Sequence, residues 1–296
     1  MSNLIIETDI GRDPDDFFAL LYLVSAGVNI KAITVSPGDP DQIALVKFIL
    51  RELDLDIPVG ADIKDRNKKS LTGFHIGLMD KYKATRYAEA DEYGPELITK
   101  VFDNFPNSEL FVIGPAQGIG KYLIASLDKE ITKATIQGGF ISYETHGLPC
   151  RRLSKFEGRT TYQSFNLNGD ITGAKALLNA KIINRYFVSK NVNHTVALGY
   201  EQYSAMLNFS PKNRAMELFL EGATKLKKEQ GKKMHDLVAA VCHLHPEVAT
   251  WVKAKLYSVR NKDNFIEWGA ELDESGDNII VDINYEKFWE YAFNGI

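Results

Sequence analysis

The sequence predicts an α/β fold, with a mostly parallel central sheet, helices on both faces and a Rossmann-like core. Three observations predict it. Strand-like and helix-like runs alternate from residue 4 onward with short turns between them, the signature of parallel βαβ units. The same theme returns in "ELFVIGPAQGIGKYLIASL", which reads as strand, Gly-Pro turn and helix. The chain has 296 residues, 45% hydrophobic and 25% charged, which is enough apolar material for a large core.

The elements follow in order. Leu4, Ile5 and Ile6 form a short apolar strand that ends at a cluster of aspartates. Phe17, Phe18, Leu20, Leu21, Leu23 and Val24 read as a helix stopped at Gly27. Residues 28–35 read as the second strand, running into the turn "SPGDPDQ". A second helix is expected over 43–53 and a short strand over 57–59. Farther on, a strand runs to Ile113 and turns at Gly114 and Pro115. "ATIQGGF" and "KIINRYFVS" read as two more strands. The stretch 141–163 is long, polar and basic, and reads as an active-site loop rather than a boundary. With no internal repeat and no linker, residues 1–296 are expected to form a single domain.

Charge and cysteine content exclude several classes. A net charge of −4 gives no global reason to bind nucleic acid. Cys150 and Cys242 form no Cys-x-x-Cys pair, so a reducing cytoplasm is expected. The N-terminus reaches Glu7 too early for a signal peptide. No apolar run approaches the roughly 18 residues of a membrane span, so no membrane partner is expected.

The stretch "ETDIGRDPDDFFAL" carries the chemistry: Asp9, Asp13, Asp15 and Asp16 crowd one turn, with Arg12 as the nearby cation. Ligands of parallel α/β sheets bind at the carboxyl ends of strands, where Asp9 falls. One aspartate at a helix start is ordinary capping. Several together need another explanation, because two carboxylates ~4 Å apart repel by ~4 kcal/mol at an effective dielectric of ~20. An oxygen-seeking divalent cation offsets that repulsion. Two further spots stand out: His235 and Asp236 before an apolar helical run, and Asn166, Asn168 and Asp170 before another helix. Taken singly, each reads as a turn or cap. His243 and His245 lie on the apolar run ending at Pro246 and read as structural.

In this order, the three spots resemble the nucleoside hydrolase (inosine-uridine preferring) superfamily. The opening stretch is similar to D-T-D-x-G-x-D-D-x-x-A-L, with Glu7 for the first aspartate and two extra residues before the Asp pair. "AITVSPGDPDQ", "FVIGPAQGIG", "QGGF", "SFNLNGDITGAKAL" and "MHDLVAAV" resemble later motifs, so the likeness covers residue 4 to about 245, without the last 50 residues. The resemblance implies a calcium-dependent N-glycosidase that hydrolyses a ribosyl–base bond. Asp9, Asp16, Asp236 and the Ile113 carbonyl would hold Ca²⁺, and Asp9 would take the proton of the attacking water. Asp15, Asp39, Ser164 and Asn166 would bind the sugar. His235 would give the leaving base a proton or a strong hydrogen bond, because imidazole titrates near neutrality. A small-molecule nucleoside-like substrate and a homo-oligomer, dimer or tetramer, are also implied.

Two departures bear on the substrate. Ser164 replaces the glutamate of E-F-N near the 5′ edge of the sugar, and Asp39 replaces an asparagine. The preceding loop carries Arg151, Arg152, Lys155 and Arg159. These cations read either as a solvated loop balanced by Glu144 and Glu157 or as a grip for a 5′-phosphorylated substrate. Two other functions compete. One is a calcium-containing ribosyl-ligand binding protein without turnover. The other is a haloacid dehalogenase-type phosphohydrolase, which would want an acidic residue where Gly11 stands.

Overall fold

The computed structural model describes residues 3–61, 68–226 and 231–294. The first half runs β1 (Asn3–Thr8), α1 (Asp15–Ser25), β2 (Asn29–Val35), α2 (Pro40–Glu52), β3 (Val59–Ala61) and α3 (Gly73–Lys81). It continues with β4 (Glu92–Tyr93), α4 (Gly94–Asn104), β5 (Glu109–Val112), α5 (Gln117–Ala125) and β6 (Glu130–Gln137). A short α6 (Tyr143–His146), α7 (Phe165–Gly169), α8 (Ile171–Asn179) and β7 (Lys181–Val188) follow. Then come α9 (Lys190–Asn193), β8 (Ala197–Leu198), α10 (Tyr200–Met206), α11 (Arg214–Leu226), β9 (Lys232–Lys233) and α12 (His235–Leu244). The chain ends with β10 (Ala249–Arg260), β11 (Ile266–Leu272), β12 (Asp277–Ile283) and α13 (Tyr285–Asn294).

Ten strands form one sheet in the order β11-β10-β12-β7-β6-β5-β1-β2-β3-β4. From β12 to β4 every neighbouring pair is parallel, whereas β10 runs antiparallel to both β11 and β12. β1 lies in the middle because the chain builds outward through β2, β3 and β4, then returns to its other side with β5. That reversal opens a crevice between β1 and β5, where open α/β sheets bind ligands.

Strand alternation sends side chains into two cores, one per face. Leu4 and Ile6 join a core shared with α1, α2, α11 and α12, while Ile5 joins a core built on α4, α5 and α8. The second core depends on glycine: a Cβ on Gly173 of α8 would lie 2.0 Å from the Ala116 carbonyl oxygen, which is backbone and cannot yield. Gly173→Ala is expected to cost about 3 kcal/mol despite the gain in helix propensity, read by chemical denaturation. A loss under ~1 kcal/mol would show that α5 and α8 can separate freely.

The differences from the sequence reading are local. α2 begins three residues early because Asp39 caps it in a reciprocal box with Gln42, and Pro40 suits the first turn. β3 starts where the expected strand ended, although the Pro58 carbonyl still accepts from Ile33 N. The last 50 residues supply the antiparallel edge β10–β12 and helix α13.

Candidate active site at the carboxyl edge of the sheet

A cavity of about 900 Å³ opens at the carboxyl ends of β2, β1, β5, β6 and β7. Its floor is acidic. Asp9 follows β1, Asp15 and Asp16 open α1, and Asp236 is the second residue of α12. Packing of α12 against α1 brings residues 220 positions apart together. Asp15, Asp16 and Asp236 are buried, and each offers a carboxylate oxygen within 4.8 Å of the others. Half-buried Asp9 stands beside this triad rather than in it.

Few donors serve these carboxylates. The Thr8 hydroxyl donates to Asp16, and His235 N donates to Asp15 Oδ2 at 3.1 Å. Asp15 Oδ1 is buried with no partner among the described residues. Burial and mutual repulsion push the group toward its neutral form. Asp9 rises to about 7, chiefly through lost hydration and then through Asp15. Asp15 rises to about 6, through lost hydration and then Asp13. Asp16 and Asp236 lie well above the carboxylate range, burial being the largest cause for both. A hard divalent cation fits this set: all donors are oxygens, one is orphaned, and the acids cannot all ionise together without a counter-charge.

The inserted residues sit at the mouth. Asp13 pairs with Lys232 at 2.6 Å, and the Arg12 guanidinium lies 5.5 Å from the Phe165 ring centroid. Glu7 is away from the ligand space. Fully buried, it accepts from the Ser36 hydroxyl and from Gly118 N and Ile119 N, and so caps α5.

Residues assigned to the sugar prove to be partly engaged. Asp39 lines the cavity, but its carboxylate caps α2 and accepts from the Ser70 hydroxyl. It thus holds wall residues in place while lining the cavity. Asn166 donates from Nδ2 to the Ile113 carbonyl at 2.7 Å and to Gln137 Oε1 at 2.7 Å, while its Oδ1 accepts nothing among the described residues. Ile113 O therefore keeps one lone pair for another partner. Ser164 is buried on the cavity wall and accepts from Gly139 N. Asn168 and Asp170 are structural: the first ties α7 to Trp268, and the second caps α8.

His235 reaches the cavity. Its ring lines the cavity with Nε2 unpartnered among the described residues, and Nδ1 lies 3.6 Å from Asp15 Oδ2. Burial, then the charge of Lys232, lowers its pKa to about 4. Burial thus favours the neutral ring, which can serve a leaving group as a hydrogen-bond donor.

Of the two readings of the basic loop, the structure follows the one in which its own glutamates balance it. Arg151 stacks on Tyr285, and Arg152 lies 5.1 Å from the Tyr143 ring centroid and pairs with Glu144 and Glu157. Neither lines the cavity, and neither does Arg159. The sequence reading missed the neighbouring residues that do. Lys190 and His194 follow the carboxyl end of β7 and face the cavity, and Lys155 Nζ donates to His194 Nδ1 at 2.9 Å. The His194 and His235 rings are 4.5 Å apart.

A sequence model of the inosine-uridine preferring nucleoside hydrolases matches residues 4–290. A protein of Aquifex aeolicus (strain VF5) named only as uncharacterized is 27% identical over 292 residues, 95% of this chain and 94% of that one. The fold is similar to that of a plant nucleoside hydrolase, the PpNRh1 enzyme, with TM-score 0.74 and 16% identity over 99% of this chain and 98% of that one. It is also similar to an inosine-uridine preferring nucleoside hydrolase from Bacillus anthracis, with TM-score 0.68 and 14% identity over 100% and 99% of the two chains. Likeness at such identities speaks for the fold alone. The sequence match is independent of it, spans both motif-bearing ends of the chain and removes the phosphohydrolase reading of Asp9. On that match the chain belongs to the inosine-uridine preferring nucleoside hydrolase family, and so to the hydrolases acting on N-glycosyl bonds.

Proposed function

We propose that this chain is a calcium-dependent N-ribohydrolase that cleaves the bond between a ribosyl group and its base with water. The observation carrying the reading is the cluster of Asp9, Asp15, Asp16 and Asp236 at the switch point of the sheet, with one buried carboxylate oxygen unpartnered. Asp15, Asp16, Asp236 and the remaining lone pair of Ile113 O would hold the cation. When bound, Ca²⁺ would lower the pKa of the attacking water and engage the ribose diol.

The side chains divide the remaining work. Asp9 stands next to the triad and outside it, placed to take the proton of that water. Its pKa is raised by burial first and by Asp15 second, and a bound cation would offset both by favouring the carboxylate. Cleavage builds positive charge on the sugar, and the carboxylates beneath it stabilise that charge electrostatically. Asn166 Oδ1 and Ser164 Oγ, both on the cavity wall, would bind the sugar hydroxyls, while Asp39 and Gln42 fix the wall through Ser70 and the carbonyls of Asp9 and Ile10. Neutral His235 assists the departing base by hydrogen bonding.

The test is release of free base from a panel of nucleosides and nucleotides in calcium and in excess chelator. Calcium-dependent base release is expected. Tight binding of the panel without product would instead mean a ribosyl-ligand binding protein, and chelator-resistant turnover would remove the cation from the reading.

A further inference from the structure

The cavity is two-sided. Besides the acidic floor, the cavity is lined by Lys190, two residues after the end of β7, its Nζ donating to Gln163 O at 2.8 Å and lying 4.9 Å from the Tyr162 ring centroid. Lys190 forms no ion pair among the described residues, nor do Lys155 and Lys233. Lys190 lines the cavity and Lys155 holds His194 Nδ1, and each of the three feels another cation: Lys190 feels Lys155, Lys155 feels Lys233, and Lys233 feels Arg151. Burial, and then Lys155, lowers Lys190 to about 8, the behaviour of an ammonium in want of an anion. The residue after Gln163 is Ser164, so the wall at that point carries no carboxylate to repel one.

We infer that the basic wall is an anion subsite, and that the substrate is a ribosyl compound bearing a phosphate monoester on its 5′ carbon, gripped by Lys190. The inference rests on the N-ribohydrolase reading. In that reading the diol faces the acidic floor and the anomeric carbon faces the water. The 5′ carbon is then the sugar position left to carry a charged group. A dianion suits Lys190, with the charge of Lys155 and, beyond it, Lys233 nearby, better than a single carboxylate does. At about 900 Å³ the cavity is large for a small-molecule site, with room for a substituent beyond sugar and base. The anion grip, one of two readings open for the basic loop, thus falls to Lys190, which the topology, not the local sequence, brings to the wall.

The experiment compares kcat/KM for a nucleoside and its 5′-monophosphate, at low and high salt, in the parent protein, Lys190→Met and Lys190→Arg. The parent is expected to favour the monophosphate by about tenfold or more at low salt and by less at high salt. Lys190→Met should erase most of that ratio, and Lys190→Arg should keep most of it. A separate arm measures binding of ribose 5-phosphate, ribose and inorganic phosphate by calorimetry in calcium, with no turnover required. Ribose 5-phosphate should bind tightest, and the margin should vanish in Lys190→Met. If no base is released but this binding pattern holds, the hydrolase reading fails and the anion subsite stands. A parent that prefers the plain nucleoside, a ratio unmoved by Lys190→Met, or inorganic phosphate binding as well as ribose 5-phosphate would each overturn the inference.

Discussion

Asp9→Asn is expected to lower kcat by about a thousandfold or more while changing ligand affinity by less than about tenfold. The substitution keeps the size and polarity of the side chain and removes its capacity to accept a proton. Asp9 is half-buried at the end of β1, beside the triad of Asp15, Asp16 and Asp236 but not part of it. A base of this kind acts as the water attacks, so its loss should appear in the chemical step. The loop itself should survive, since Gln42 Nε2 holds it through the backbone carbonyls of Asp9 and Ile10. The measurement is single-turnover rate against affinity for a slow substrate, at saturating calcium. A parallel loss of affinity and rate would move Asp9 from base to ligand of the cation or sugar. Full retention of kcat would remove it from the reaction.

The floor of the site was legible in the sequence because its signal is local. Asp9, Asp15 and Asp16 sit within one strand-to-helix turn, and no capping role accounts for all of them. Asp236 needed the family likeness, since only the contact between α1 and α12 brings it across 220 residues. The basic wall was not legible for the opposite reason. Arg151 and Arg152 announce charge in the sequence, but charge alone does not say which way a loop faces. They pack on Tyr285 and Tyr143 and pair with glutamates. Lys190 and His194 look unremarkable in "VSKNVNH", yet they follow the strand 181–188, where the rule that ligands gather at carboxyl ends of strands applies as it does after β1. The edge strands β10 to β12 escaped because antiparallel pairing has no βαβ rhythm to announce it. β3 was displaced by two residues, a small error for a strand three residues long.

The cation carries the second large effect, and its sign can be worked out from the carboxylates. Without a cation, Asp15 titrates at about 6 and Asp9 at about 7, against 3.8 in the unfolded chain. A folded-state pKa raised in this way means that the native state binds more protons than the unfolded state between those values. Stability therefore falls as pH rises from about 4 to about 7 and stays low above. Arg12 near Asp9 and Lys232 near Asp15 oppose the shifts without cancelling them. A bound divalent cation reverses the preference, because it binds the ionised carboxylates of the native state alone. At a hundredfold excess over its dissociation constant it adds about 3 kcal/mol by mass action. The calcium-induced rise in melting temperature should thus be small near pH 5 and large near pH 7.5, measured by scanning calorimetry against chelator. Asp236→Asn should abolish the rise. In chelator it should also melt no lower than the parent at about pH 7.5, since asparagine keeps the shape of a carboxyl that burial and its acidic neighbours disfavour as an anion. A melting shift independent of pH, or one retained by Asp236→Asn, would mean that the cation binds elsewhere.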